Sequence, residues 1–193
     1  MRYSKDHKQA TRQRIIEAAG RRFKEDGIDG AGVATVMSDA GLTNGAFYAH
    51  FTSKEDLLAN VLADQLRNQR ASFDAEPSDL AGLETFIRAY LSPEHRDDCG
   101  EGCPSAALLD EIVRRPAVTK KAFTGELTGL MDEIAARLDP TDLEATRTNA
   151  LILFALMVGT LQLARALTDR ALSDRLLARG AEQALDLLDN FAH

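Results

Sequence analysis

Residues 41–54, "GLTNGAFYAHFTSK", are a tight turn followed by a short segment that mixes small, polar and aromatic residues. The spacing of Leu42, Phe47 and Phe51 lets these side chains pack on one side against a preceding helix. Gly41 permits the left-handed backbone that lets two short helices cross steeply. Because a short helix is also predicted over residues 33–40, the stretch predicts a helix-turn-helix.

The side chains that remain on the outer face of this motif are small or polar. The second helix of a helix-turn-helix lies in the major groove of DNA, where small residues such as Gly45 and Ala46 permit close approach. Asn44 can donate and accept hydrogen bonds at a base edge or a phosphate, and Thr43 at the helix start can receive a phosphate. The predicted DNA-binding residues are Thr35, Thr43, Asn44, Gly45, Ala46, Tyr48, His50 and Lys54.

Two of these residues have structural alternatives. Tyr48 could belong to the core instead of contacting a phosphate. His50 could stabilise the C-terminus of its own helix, where a cation is favoured. Both alternatives stay open on the sequence.

Residues 8–58, "HKQATRQRIIEAAGRRFKEDGIDGAGVATVMSDAGLTNGAFYAHFTSKEDLL", resemble the DNA-binding domain of TetR-type (tetracycline-repressor-like) transcriptional regulators. The resemblance implies a homodimer that binds a palindromic operator and leaves it when a small molecule enters the C-terminal domain. An activator would share the DNA-binding prediction. This chain departs from the family pattern at Gly32, where Thr or Ser is common, and at Asn44, where Lys is frequent. The positions that match the DNA-facing residues and the turn of the family are Thr43, Asn44, Ala46, Tyr48, His50, Lys54 and Gly41.

The charge distribution is uneven along the chain, whose net charge is −7. Residues 1–54 carry nine Lys/Arg against six Asp/Glu, whereas residues 55–193 carry fourteen against twenty-four. A basic end on an acidic body is compatible with one part that meets phosphate, although random variation in surface charge is an alternative. Residues 1–6, which include Arg2 and Lys5, could form an arm with extra DNA contacts.

Nearly every segment of the 193-residue chain has helical periodicity, and neither strand alternation nor an internal repeat is found. We predict an all-α fold of about nine helices. Residues 1–53 form an N-terminal three-helix domain, joined by a long helix to a second helical domain, residues 54–193. Ser53, Ser78 and Ser173 are predicted to cap the helices that follow them. The predicted helices cover residues 6–27, 33–40, 43–50, 54–73, 79–91, a segment from 104, 116–138, 141–167 and 173–191.

The last two predicted helices are apolar over more than one face, as in the run from Leu151 to Gln162. Two such helices from each subunit could form a four-helix bundle, so we predict a homodimer through helices eight and nine. Packing within one subunit is the alternative. No signal peptide is recognisable, and the longest apolar run, residues 150–158, is too short to cross a bilayer. We therefore expect a cytoplasmic protein without a membrane partner.

Aromatic and methionine residues in the second domain suit an adaptable apolar pocket for a small-molecule effector, although each could equally be plain core. The acidic balance makes a cationic ligand admissible, but surface charge alone would also explain it. The candidate ligand-binding residues are Phe73, Phe86, Tyr90, Phe123, Leu127, Met131 and Met157.

His95, Cys99 and Cys103 recur at every fourth residue in "HRDDCGEGC". Neighbouring glycines argue against one continuous helix, and no fourth ligand stands at metal-site spacing, so we predict no metal. A thiol at a helix N-terminus can have a lowered pKa, which makes Cys103 and Cys99 candidates for redox or electrophile sensing, with structural packing as the alternative. No nucleophile–base pair or phosphate loop supports an enzyme, and we predict neither catalytic residues nor a cofactor.

Overall fold

A computed structural model describes residues 2–139 and 141–191, with the side chains of that range except those of residues 2–5, 143 and 145. Within it the chain is all-α, as predicted, with nine α-helices and one 3-10 helix. We call the 3-10 helix Asn44–Ala49 the recognition helix. The α-helices are α1 (Arg2–Asp26), α2 (Val33–Asp39), α3 (Lys54–Asp74), α4 (Leu80–Tyr90), α5 (Pro93–Asp97), α6 (Pro104–Ile112), α7 (Ala117–Leu138), α8 (Leu143–Ala166) and α9 (Arg170–Phe191).

Local sequence signals explain where several helices begin. The hydroxyl of Ser53 accepts the N–H of Asp56 at 3.0 Å, and the Asp56 carboxylate accepts the N–H of Thr52 at 2.8 Å. This reciprocal capping confirms Ser53 as the cap of α3. Pro104 opens α6, where its missing N–H costs nothing.

Two predicted caps are wrong. The residue that caps α4 is Asp79 rather than Ser78, since the Asp79 carboxylate accepts the N–H of Gly82 at 3.1 Å. Helix α9 starts at Arg170, before Ser173, and the Asp169 carboxylate accepts the N–H of Leu172 at 3.0 Å. In both places a neighbouring carboxylate takes the capping role from the serine.

Two further predictions need correction at the ends of helices. Residues 2–6, which the sequence assigned to an arm, continue α1, while Met1 lies outside the described residues. Helix α5 lies between residues 91 and 104, where no helix is predicted, yet the Ser92 hydroxyl accepts the N–H of His95 at 3.2 Å and Pro93 is the first residue of the helix. The Ser-Pro pair that opens α5 is an ordinary helix start signal.

The first core lies where α1, α2, the recognition helix and the first half of α3 meet. Phe23, Phe47 and Phe51 are buried there, and burying one such side chain contributes about 1.5–3 kcal/mol. Leu108 of α6 and Phe123 of α7 also join this core. Since α3 and parts of α6 and α7 complete the N-terminal core, the domain division between residues 53 and 54 stays a prediction.

The second core is formed by α4, α7, α8, α9 and the end of α3. Arg137 on α7 is buried here and holds the C-terminal end of α3, donating to the carbonyls of Phe73 and Pro77, both at 3.2 Å. Its guanidinium also lies 3.8 Å from the centre of the Phe73 ring. The end of α3 is thereby fixed to α7 by a charged group that satisfies two carbonyls.

Helix α8 is apolar on both its inner and its outer side. The part Thr146–Ala166 has the length and hydropathy of a membrane-spanning helix, a property that it shares with core helices of soluble proteins. Leu153 and Met157 are fully buried in the second core, whereas Ile152 and Leu163 on the outer side are 50% and 54% exposed. The inner side is thus accounted for by the fold of one chain, and the outer side is not.

Candidate functional site

The turn between α2 and the recognition helix has the geometry that a helix-turn-helix requires. Gly41 has φ +68°, a left-handed conformation that favours glycine. The N–H of Gly41 donates to the Ser38 carbonyl and that of Leu42 to the Met37 carbonyl, both at 2.9 Å. These bonds end α2 and direct the chain into the recognition helix.

The recognition helix is a 3-10 helix over Asn44–Ala49, shorter and tighter than the helix predicted over residues 43–50. Its inner side is held by Phe47, whose ring lies 5.8 Å from that of Phe51, and both rings are buried. The Thr43 carbonyl accepts the N–H of Ala46 at 3.0 Å, while the Thr43 hydroxyl makes no capping hydrogen bond. The packed aromatic side fixes the orientation of the opposite side.

That opposite side carries the predicted DNA-binding residues in accessible positions. Tyr48 is 76% exposed, with its ring packed edge-on against Phe47 at 5.2 Å. The core alternative for Tyr48 is therefore wrong. A Cβ built on Gly45 would meet no atom within 4 Å. Thr35, Thr43, Asn44 and Gly45 are exposed, and Ala46, His50 and Lys54 are half-buried.

His50 lies beside the N-terminal part of α1. Burial lowers its pKa, and the positive charges of Lys8 and Arg12 lower that pKa further. Its Nδ1 atom is buried and has no hydrogen-bond partner among the described residues. These surroundings disfavour a cationic His50 in the free protein, which weakens the alternative of a helix-end cation.

The proximity of Lys8 to this surface was not predicted. Lys8 is exposed on α1, and its charge acts on His50. Two features of the sequence could have indicated it: residues 1–54 carry more basic than acidic residues, and the helical pattern of α1 continues towards the N-terminus. Arg12, one turn further on, stacks 4.7 Å from the Phe51 ring centre and donates to Asn60 at 2.7 Å, which ties α1 to α3.

Further ion pairs hold the helix-turn-helix on α1. Arg22 donates to Asp39 at the end of α2 at 2.6 Å and also to Asp26 at 3.2 Å. The hydrogen bond from Arg22 holds the pKa of the Asp39 carboxyl below its usual range. Lys54 begins α3, and its ammonium lies 5.9 Å from the Phe23 ring centre. The outward-facing residues are thus presented on a braced unit.

A cavity of about 600 Å³ lies between α1, α3, α4 and residues 95–104. Three of the predicted ligand-binding residues, Phe73, Phe86 and Tyr90, line it. Their rings form a continuous series, with centroids 4.8 Å apart for the first pair and 5.8 Å for the second. The structure places the other four predicted residues in the cores, away from this cavity: Phe123, Leu127, Met131 and Met157.

Much of the cavity lining was not predicted, because it comes from the outer sides of α1 and α3. These residues are polar, so a search for apolar pocket residues passes over them. Only the packing of α1 against α3 brings them to one void. They include Glu17, Arg21, Lys24, Asp64, Gln65, Asn68 and Gln69, and Glu76 follows just after the end of α3.

The His95, Cys99 and Cys103 cluster forms hydrogen bonds within the protein. His95 uses both ring nitrogens: Nδ1 donates to the Tyr90 carbonyl at 2.7 Å, and Nε2 accepts the N–H of Cys103 at 3.0 Å. Burial lowers the pKa of His95, consistent with this neutral form. Among the described residues no group of His, Cys, Asp or Glu has the arrangement of a metal site.

Both thiols are free and engaged with neighbours. The Cys99 thiol donates to the Lys24 carbonyl at 3.2 Å, and the Cys103 thiol donates to Gln69 at 3.4 Å. Cys103 precedes α6 but its side chain does not cap that helix. These contacts agree with the packing alternative, and a sensory role for either cysteine stays a prediction.

Comparison with known proteins identifies the helix-turn-helix region. The family described as "Bacterial regulatory proteins, tetR family" matches residues 15–61. The regulator TtgR of Pseudomonas putida, named an HTH-type transcriptional regulator, is 40% identical over 203 residues, covering 97% of this chain and 96% of TtgR. This similarity extends over both cores.

Solved structures have the same fold at lower identity. The reduced form of NemR from E. coli superposes with a TM-score of 0.76 at 17% identity, covering 91% of this chain and 95% of NemR. FadR from Bacillus subtilis, solved in complex with stearoyl-CoA, has a TM-score of 0.68 at 17% identity, covering 94% of this chain and 99% of FadR.

The matched region contains α1 from Ile15, the turn at Gly41, the recognition helix and the start of α3, which are the elements that form the outward-facing surface. Members of this family are non-enzymatic DNA-binding proteins that also respond to small molecules. Family membership therefore argues against an enzymatic function. The chain belongs to the TetR family and is a DNA-binding transcriptional regulator.

Proposed function

We propose that this regulator is a cytoplasmic homodimeric repressor that binds a palindromic operator and is released from it by a small-molecule effector. The observation that carries the proposal is the outer side of the recognition helix, where Tyr48 is 76% exposed and a Cβ on Gly45 would meet open space. Residues 1–53 supply DNA binding, and residues 54–193 supply dimerisation and effector binding.

The DNA contacts divide into two kinds. Asn44, with an amide that can donate and accept, reads base edges, and Gly45 and Ala46 allow the helix to approach them. Tyr48 and Lys54 lie towards the end of the recognition helix and just beyond it, and bind phosphates. Thr35, Thr43 and His50 add further contacts to the DNA backbone, and Lys8 on α1 supplies a positive charge close to His50.

The dimer is supported by the outer side of α8. Leu151, Ile152 and Leu163 are 42%, 50% and 54% exposed, although all three are large and apolar. Ala155 and Gly159 lie between them at helical spacing and are also exposed. Packing these sides together, with α9 alongside, gives a four-helix bundle that removes this apolar area from water.

The effector acts through the cavity next to α1. Two recognition helices read successive major grooves only when they are separated by about 34–36 Å. The cavity lies between α1, which carries the DNA-binding unit, and α3 and α4, which join the second core. A ligand that favours a different position of α1 lowers operator affinity by its differential affinity for the two states.

The test is a fluorescence anisotropy titration of the protein against the labelled duplex upstream of its own gene, at several salt concentrations. We expect salt-sensitive binding, since phosphate contacts release counterions. Tyr48→Phe should weaken binding to every sequence by about threefold to tenfold. Asn44→Ala should mainly change the preferred base within the half-site.

Asn190→Ala, an exposed asparagine of α9, is the matched control and should change neither quantity. Binding that is absent from the upstream duplex, or an unchanged base preference in the Asn44 variant, would contradict the proposed recognition.

A further inference from the structure

The cavity between α1, α3 and α4 has an aromatic side and an acidic side. The aromatic side is the ring series Phe73, Phe86 and Tyr90. The lining also includes carboxylates from α1 and α3, among them Glu17 and Asp64. At about 600 Å³ the cavity has the size of small-molecule sites, which typically enclose about 300–1,000 Å³.

The charges that line the cavity do not cancel. Arg21 and Glu101 form an ion pair with each other at 3.2 Å. Lys24 donates to the Gly102 carbonyl at 2.9 Å, and burial lowers the pKa of Lys24. The basic groups of the lining are thus engaged at one end of the cavity.

Three carboxylates remain without a cation. Among the described residues, Glu17, Asp64 and Glu76 form no ion pair, and Asp64 accepts only amide hydrogen bonds, from Gln13 at 3.3 Å and Asn68 at 3.2 Å. Three negative charges therefore border an aromatic-lined void in which Lys24, held by the Gly102 carbonyl, is the one lining cation without a carboxylate partner among the described residues, so the balance of the lining is negative. A ligand with a positive charge is attracted by these carboxylates, and an anion is repelled by them.

The inner end of the cavity carries buried polar atoms without partners. Tyr90 is 4% exposed, and the only neighbour of its hydroxyl among the described residues is the Cys103 thiol, a weak partner that leaves this hydroxyl without a full hydrogen bond. The Gln65 side-chain oxygen is also buried and unpartnered. An unsatisfied buried polar atom costs about 1–3 kcal/mol, so a ligand that supplies hydrogen bonds here gains from groups that the fold leaves unpaired. Since the Gln65 oxygen can only accept, the complementary ligand atom is an N–H or O–H donor.

We infer that the effector cavity takes a planar aromatic cation that carries N–H donors, with its ring on Phe86, its charge facing Glu17 and Glu76, and a donor at the Tyr90 end. This inference rests on the proposed function for its regulatory meaning, but the charge selectivity of the cavity is a separate property. The aromatic rings add attraction for a cation because their faces are electronegative.

Three acridines with one ring system and different charges test the selectivity. The probes are proflavine, a diamino cation, acridine, which is neutral at mildly alkaline pH, and acridine carboxylate, an anion. Fluorescence titration of the DNA-free protein with each probe should give the order proflavine, acridine, acridine carboxylate, with at least about a tenfold difference in Kd between the first and the last. Equal affinities, a reversed order, or no binding of any probe would overturn the inference.

Variants that remove a negative charge test which carboxylates give the cavity its preference for a cation. The double variant Glu17→Gln/Glu76→Gln should weaken proflavine binding about fivefold to tenfold and leave acridine binding nearly unchanged. Glu84→Gln, on the exposed side of α4 outside the cavity lining, is the matched control and should change neither. An unchanged Kd for proflavine in the double variant would refute the role of these carboxylates.

A third variant tests the inner end of the cavity. Tyr90→Phe keeps the ring and removes a hydroxyl whose only neighbour is the weakly bonding Cys103 thiol, so the protein should fold as well as before, and proflavine should bind about threefold or more weakly. Unchanged proflavine binding in this variant would remove the hydrogen-bonding part of the inference.

Operator titrations of each variant without ligand keep the two claims apart. Normal operator binding with no cation preference refutes the cavity inference alone. A cation preference in a protein that binds no operator refutes the proposed repressor alone.

Discussion

Gly45 has no structural reason of its own to be glycine. Positive φ angles occur at Gly27 and Gly41 within the described residues, so the backbone of Gly45 suits any residue. A Cβ at this position would meet no atom within 4 Å. In the proposed complex with DNA, the missing side chain lets the floor of the major groove come close to the recognition helix.

We therefore expect Gly45→Ala to keep or slightly raise the thermal midpoint, since alanine is favoured over glycine in helices by up to about 1 kcal/mol. Operator affinity should fall at least about tenfold because the new methyl group occupies the space of a base edge. The measurements are thermal unfolding and operator anisotropy. Gly125→Ala on α7, which also has open space around its Cβ, is the control. Equal operator affinity of both variants would place the DNA elsewhere.

The proposed contact between His50 and a DNA phosphate predicts that operator binding depends on pH. In the free protein its pKa lies below the ordinary value of about 6.5, because of burial first and then of Lys8 and Arg12. A DNA phosphate beside His50 favours the charged form and raises its pKa. Binding then takes up a proton, so operator affinity increases as pH falls from neutral through the ordinary titration range of histidine.

Between neutral pH and one pH unit below it, we expect the operator affinity of the wild-type protein to rise by about twofold to fivefold more than that of the His50→Gln variant. Operator titrations at matched ionic strength across this range provide the measurement. If wild type and the His50→Gln variant show parallel pH profiles, His50 does not contact a phosphate.

At the scale of elements, the junction of α3 and α7 depends on Arg137. Its guanidinium satisfies the carbonyls of Phe73 and Pro77 and covers the Phe73 ring. Arg137→Met keeps the aliphatic part and removes the donors, which should lower the free energy of unfolding by about 2–3 kcal/mol.

The urea midpoint reports this change. Arg67→Met removes the exposed ion pair of Arg67 with Glu126 on the same pair of helices and should cost less than about 1 kcal/mol. Equal losses in the two variants would show that Arg137 contributes no more than a surface charge.

Helices were predictable from the sequence where the signals are local. Ser53 capping α3, Gly41 in the turn and Pro104 at the start of α6 each act on atoms a few residues away. Ser173 was misassigned because its partners are distant: its hydroxyl accepts from Arg96 of α5 at 2.8 Å and donates to the Ala164 carbonyl, also at 2.8 Å. The periodicity of the sequence does not indicate contacts between such distant residues.

The two candidate sites also differ in how far local sequence signals predict them. The outward side of the recognition helix follows from one short segment, because burying Phe47 and Phe51 fixes which residues face away. The cavity depends on how α1 lies against α3, where a Cβ on Gly20 would come within 2.1 Å of the Gln65 side chain. The close approach of α1 to α3 decides which polar residues line the cavity. This approach cannot be inferred from the residue types alone.

At the scale of the whole molecule, the single chain leaves an apolar side of α8 uncovered. The exposed residues Leu151, Ile152 and Leu163 lie on this outer side, with Gly159 between them. A soluble protein normally covers a continuous apolar patch of this kind with a partner. In the dimer proposed above, a second copy of the chain covers it with the same residues, as a two-fold interface requires.

Gly159 offers a direct test of this dimer. A Cβ there meets no atom of its own chain within 4 Å, so Gly159→Lys should fold normally and gain helix propensity. In a packed four-helix bundle the same lysine places a charge in the apolar interface, so the subunits should separate and the operator affinity should fall at least about a hundredfold with the loss of one half-site. Gly125→Lys, on the exposed side of α7, makes the same change outside the bundle and should remain dimeric. Sedimentation over a range of protein concentrations distinguishes the two, and a dimer of unchanged stability in the Gly159 variant would move the interface away from α8.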